Sequence, residues 1–209
     1  MLGKTHRAGG TFAMLMTFTI LKQKGMLLPE VNDFVQLAIM YPICSWGSIF
    51  SDLDHGADSI PDKDPVSIVI NKFLRLTGAK HRSWQTHSLL VTGGFLFLLF
   101  ALTNLGTTYL QNQLDWVVIR LLVMGFSVGV LSHLILDALS TAGVHIWPGF
   151  KLRFVPKSSA FATGGKWETM VFWVLIIGIV LLIINLVTMG FGINLIDLIS
   201  ELILGGFKS

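Results

Sequence analysis

The chain has 209 residues and a formal net charge of +3, with 53 % hydrophobic and 13 % charged residues. Soluble domains carry about 25 % charged residues, and the mean hydropathy here is +0.71, so too little polar surface remains to coat a globule of this size. These totals exclude a soluble cytosolic enzyme, a disordered tail and a coiled coil, and the apolar residues come in runs, as in an integral membrane protein.

A bilayer core takes roughly 20 apolar residues in helical form. Residues 9–21 are short for this. Behind Lys4 and Arg7 they have the outline of a signal-peptide h-region, but no small-x-small cleavage site follows, so a retained, partly buried first helix is expected. Residues 34–50 reach the length with small polar residues among them, which suits a packed helix. Residues 89–110, 117–139 and 170–189 also reach it, the last being the cleanest run. Residues 191–207 carry Asp197 and Glu201 one turn apart, as in a last span with a polar stripe or an interfacial helix. The expected fold is all-α: a polytopic transmembrane helical bundle of five to six helices, one integral membrane domain over residues 1–209. Cys44 is the single cysteine, which excludes a disulfide framework and a cysteine zinc finger.

With five spans, Lys and Arg divide eleven to four between the two faces. The richer face holds Lys4, Arg7 and the long loops 51–86 and 140–168, so the positive-inside rule places the N-terminus and both loops in the cytoplasm. The sequence pI near 9.1 then reflects loops facing anionic lipid. Nucleic acid is not an expected partner, because the basic stretches lack clustered aromatics. In the first loop, residues 66–78 set Val66, Ile70, Phe73 and Leu74 on one helical face, as in a short helix lying on the membrane surface. The second loop, broken by Pro148, Pro156 and Gly164-Gly165, reads as irregular structure folded back onto the bilayer.

On this topology all six histidines (His6, His55, His81, His87, His133 and His145) lie on the cytoplasmic side, together with Asp52, Asp54, Asp137 and Glu168. Imidazoles and carboxylates gathered at one depth of a membrane protein usually build a site. His133 and Asp137, at i and i+4, project from the same face of a helix end and could ligate one metal, or one could orient the other. The blander meaning of such a pair is a structural hydrogen bond. Ser51-Asp52-Leu53-Asp54-His55 offers three hard or borderline ligands within four residues, suited to zinc, manganese or magnesium. Asp58, Asp62 and Asp64 read as a solvated turn.

In His81-Arg82-Ser83-Trp84-Gln85-Thr86-His87-Ser88, a spacing of six keeps the two histidines off one helix face. His87 is expected to open the third span with Thr86 as its N-cap, while His81 reaches in from the loop. Arg82 could bind an anionic oxygen such as a phosphate, or snorkel to the membrane interface; Trp84 is an expected interfacial anchor. His145 has no partner at ligand spacing and reads as structural. A phosphate loop and a Gly-x-Ser-x-Gly elbow are both absent from the sequence.

The ordered set of a His near the N-terminus, Ser-Asp-Leu-Asp-His, His-Arg then Thr-His-Ser, and Ser-His-x-x-x-Asp-Ala-Leu-Ser-Thr-x-Gly, running from His6 to Glu168, resembles the YdjM-like membrane-bound metal-dependent hydrolases of bacteria, some of them LexA-regulated. That family reads His-Arg-x-x-Thr-His-Ser; here an extra residue precedes Thr86 and changes the reach of His81. The order of ligands is also faintly similar to zinc-dependent phospholipases C. The resemblance implies a hydrolase of the bacterial cytoplasmic membrane with one to three divalent metal ions, zinc first and manganese or magnesium as alternatives. Asp52, His55, His87, His133 and Asp137 would be ligands, with His6, Asp54 and His81 completing a second metal or an outer shell. Glu168 or Asp54 would be the general base and Arg82 would join them in catalysis. A site at this depth suits a phospholipid or lipid-linked phosphoester. The rivals are a non-enzymatic metal transporter, a sensor and a structural partner protein; transport needs polar residues through the bilayer midplane, and the apolar mid-sections of the last three clear spans weigh against it.

Overall fold

The computed structural model describes residues 2–29, 31–54, 64–80, 82–110, 114–156, 160 and 162–190. His55, Asp58, Asp62, His81 and the expected segment 191–207 lie outside these residues. Helix accounts for 73 % of the structure. The elements in order are α1 (Gly3–Gln23), α2 (Asp33–Phe50), a 3-10 turn (Ser51–Asp54), α3 (Pro65–Leu76), α4 (Leu89–Leu110), α5 (Leu114–Ala138), strands β1 (Val144–Trp147) and β2 (Phe150–Leu152), and α6 (Lys166–Gly190).

Four of these helices are long and apolar enough to cross a membrane: α2 with its following turn, α4, α5 and α6. The expected first span at 9–21 is the apolar part of a longer helix. α1 begins at Gly3 and has the length, at 21 residues, without the apolar content, because Lys4, Thr5, His6 and Arg7 form its first turns. It lies against α2, α5 and α6, with Met14, Leu15 and Phe18 buried beside Met40, Cys44 and Leu121. α4 and α6 turn Phe97, Leu98, Trp173, Val174 and Ile177 outward, an arrangement suited to lipid.

Glycines set the approach of α2 to α5. A Cβ on Gly47 would lie 2.6 Å from the Phe126 carbonyl, one on Gly125 2.6 Å from that of Met40, and one on Gly129 would overlap the Cys44 carbonyl. Small residues at these positions let the two backbones touch. On α1, a Cβ at Gly10 would meet Ser48 at 2.7 Å, and the Cys44 thiol donates to the Gly10 carbonyl. Three helices therefore converge at backbone distance just below the turn that carries Asp52 and Asp54.

α3 covers most of the 66–78 stretch in which a surface helix is expected, but its outward face differs from the expected one, since Ile70 and Leu74 are half-buried; it starts where Asp64 accepts from the Val66 and Ser67 N–H groups ahead of Pro65. Asp64, assigned to a solvated turn from sequence, is thus a helix cap. The exposed apolar residues are Val66, Val69, Phe73 and Leu76, while Ser67 and Asn71 are buried on the other face. The 140–168 loop is not wholly irregular: β1 and β2 pair antiparallel across Pro148-Gly149, with Trp147 opposite Phe150. Gly149 sits at φ +93, a value that its missing Cβ permits.

Candidate metal centre

The side chains that sequence spacing brings forward meet at one end of the bundle. α5 supplies His133 and Asp137, one turn apart and both fully buried. The 3-10 turn after α2 supplies Asp52, α1 supplies His6, and the segment before α4 supplies His87. His6 stacks on His133 with ring centroids 3.8 Å apart and planes inclined by 16°, and His87 meets His133 edge-on at 5.4 Å.

The donor atoms face one another. His87 Nε2 lies 3.6 Å from Asp52 Oδ1 and 3.6 Å from Asp137 Oδ2, and His133 Nε2 lies 3.9 Å and 3.5 Å from the same two oxygens. His6 Nε2 lies 3.4 Å from Asp137 Oδ1. A tetrahedral zinc bound at 2.0–2.1 Å sets its ligand atoms roughly 3.3–3.4 Å apart, so modest contraction would close this cage on an ion. Among the described residues, two groups of three meet the spatial requirement for a metal: His6, His133 and Asp137, and Asp52, His87 and His133. Among the described residues, His6 Nδ1 and Nε2 and His133 Nε2 are buried without a hydrogen-bond partner. Buried polar atoms are nearly always satisfied, and a cation among them would satisfy these while offsetting two buried carboxylates. The residues fit a divalent metal.

The surrounding groups select the inward nitrogens. His133 Nδ1 lies 2.7 Å from the Ser48 carbonyl, an acceptor that requires the proton on Nδ1 and leaves the Nε2 lone pair facing the cage. His87 Nδ1 lies 3.0 Å from Thr86 Oγ1, and that hydroxyl donates to Asp54 Oδ2. Asp54 also accepts from Ser83 N at 3.3 Å. This carboxylate, hydroxyl and imidazole series holds the His87 ring as the outer partners of ligating histidines do. Burial opposes the charged form of His87; the neighbouring Asp52 and Asp54 carboxylates and the charge of Asp137 outweigh it and push the pKa up to about 9. A metal ion would take the place of that proton.

Several sequence expectations land differently. Asp54, a candidate ligand and base, sits behind His87. Thr86, the expected N-cap of the third span, is committed to Asp54; α4 starts at Leu89, and the Ser88 hydroxyl faces Val91 N at 3.5 Å. Glu168, the other candidate base, accepts from the backbone N–H groups of Leu2 and Gly164 and so ties the start of α6 to that of α1. Arg82 does reach the cluster: its Nη2 lies 3.8 Å from Asp137 Oδ1, from a backbone at φ 57.

Other contributors lie outside the residues named from sequence as site candidates. The Ser48 carbonyl is a main-chain acceptor, and any residue type could have supplied it. His145, read as structural, donates its N–H to the His87 carbonyl at 2.9 Å, and the Ser88 hydroxyl donates to the Ile146 carbonyl at 3.0 Å. β1 thereby grips the backbone that presents His87. The Pro148-Gly149 pair between aromatic flanks was the available signal for this hairpin.

No curated protein and no solved structure matches the chain. A family model does: residues 1–192 match the one described as YdjM inner membrane protein, and the chain belongs to that family.

Proposed function

We propose that this membrane protein is a multi-pass, metal-dependent hydrolase of the bacterial inner membrane, acting on a phospholipid or lipid-linked phosphoester at the inner-leaflet surface. In this reading α1 crosses beside the four apolar helices, and the N-terminus, α3 and the hairpin face the cytoplasm. The observation that carries the proposal is the cage of His87 Nε2, His133 Nε2, Asp52 Oδ1 and Asp137 Oδ2, spaced 3.5–3.9 Å along four edges. Zinc is the first choice for a buried set of two imidazoles and two carboxylates, with manganese or magnesium as alternatives.

When bound, a divalent cation supplies a Lewis acid and lowers the pKa of a coordinated water. The protein's own groups do the rest. Ser48 and the Thr86–Asp54 pair fix both imidazoles before the metal arrives. Arg82 sets a guanidinium beside Asp137 where it would receive an anionic ester oxygen, and its Nε is buried without a hydrogen-bond partner among the described residues. Leu53, Leu134 and Ala138, each next in sequence to a cage residue, are buried.

The first test is metal analysis of the purified protein beside His133→Ala and Asp137→Ala. One or more equivalents in the wild type, with at least a hundredfold weaker binding in both variants, is expected. Wild-type protein without metal, or variants that retain it, would sink the metal site. Hydrolysis of labelled phospholipids with Zn²⁺ or Mn²⁺ should be abolished by chelator and by Asp52→Ala. Loaded protein that leaves lipid phosphoesters intact would remove hydrolysis and retain metal binding.

A further inference from the structure

α3 has two faces with opposite obligations. Outward lie Val66, Val69, Phe73 and Leu76, all more than half exposed, at spacings that align them along one stripe of a helix. Lys72 and Arg75 flank that stripe and are also exposed. An apolar stripe bordered by cations matches the headgroup layer of an anionic leaflet, into which such a helix sinks its apolar side. The inward face carries just two fully engaged polar residues, one turn apart. Ser67 accepts from the Trp46 indole N–H at 3.0 Å, which fastens α3 to α2. Asn71, 2 % exposed, donates from Nδ2 to the Leu53 carbonyl.

Leu53 is the residue between Asp52 and Asp54. Its carbonyl sits on the short 3-10 turn whose neighbouring side chains supply a cage oxygen on one side and the support of His87 on the other. A 3-10 turn of four residues has few internal hydrogen bonds to fix it. External anchors therefore decide where Asp52 points.

We propose that α3 is a bilayer-seated positioning element, and that Asn71 transmits its seating to the metal cage by holding the Asp52–Asp54 turn. This rests on the metal-binding part of the proposed function. A helix lifted from the leaflet would release the Leu53 carbonyl, let Asp52 withdraw and loosen the cage. Membrane contact thus becomes a condition for full metal affinity.

The experiment uses the full chain in nanodiscs containing phosphatidylglycerol, with Zn²⁺ affinity read by competition against a chromophoric chelator. Outer partners of metal ligands typically contribute 10–100-fold in affinity. Asn71→Leu, similar in volume and lacking the donor, should weaken Zn²⁺ binding tenfold or more and alter the Co²⁺ absorption spectrum. Asn71→Gln, which keeps the donor, should restore part of both. The pair Val69→Asp and Phe73→Asp should reproduce the Asn71→Leu loss. Wild-type affinity in Asn71→Leu, or in the Val69/Phe73 double variant, overturns the proposal while the metal site stands. Wild-type protein that takes up no Zn²⁺ overturns both.

Discussion

Arg82 is the one residue other than glycine with positive φ among the described residues. A side chain in that left-handed conformation costs about 1–2 kcal/mol, and strain of this kind gathers where function holds it. Glycine would relax the backbone and delete the guanidinium. Arg82→Gly is therefore expected to melt at or above the wild-type temperature while metal-loaded protein loses tenfold or more of its affinity for inorganic phosphate. Undiminished phosphate binding would assign Arg82 to the backbone turn alone. The meeting of His133 and Asp137 is legible in the sequence: their i, i+4 spacing needs only a helix to put both on one face. What orients them is not, because Ser48 contributes a carbonyl and Thr86 a hydroxyl that a helix-start pattern assigns to capping.

Among elements, α5 does the most. Its upper end carries two cage residues, and its glycines allow α2 near enough for Ser48 to reach His133. A methyl group at Gly129 would collide with the Cys44 carbonyl and lie 2.8 Å from the Ser48 nitrogen. Overpacking of this sort usually costs about 1–3 kcal/mol. Gly129→Ala should lower stability by that order and weaken Zn²⁺ binding as well, because the same shift carries the Ser48 carbonyl away from Nδ1. Unchanged affinity in a destabilised variant would separate packing from the site. Helices were readable in the sequence because apolar runs of span length leave little choice of structure. Hydropathy shortens α1 because its first turns are polar; Thr5 and His6 within them are nonetheless buried, a tertiary fact that local hydropathy does not encode. The hairpin was missed for the opposite reason: proline and glycine signal a break, and here the break is a two-residue turn that closes a sheet.

At the scale of the whole molecule, the polar cluster, α3 and the hairpin gather at one end of the bundle, and Trp84, Trp147, Phe150 and Trp167 are exposed. Aromatic residues of this kind favour the membrane–water boundary. A cysteine at Lys151, exposed on β2, should react with an impermeant maleimide in inverted vesicles and stay protected in intact cells; labelling from outside would reverse the proposed orientation. The two triads of ligand residues meet in His133, and its bond to Ser48 leaves that imidazole a single lone pair to give. Such a nitrogen serves one ion at a time. An ion that took His133 together with His6 would therefore leave the Asp52 side to rely on its other donors, and the reverse holds for an ion seated beside Asp52.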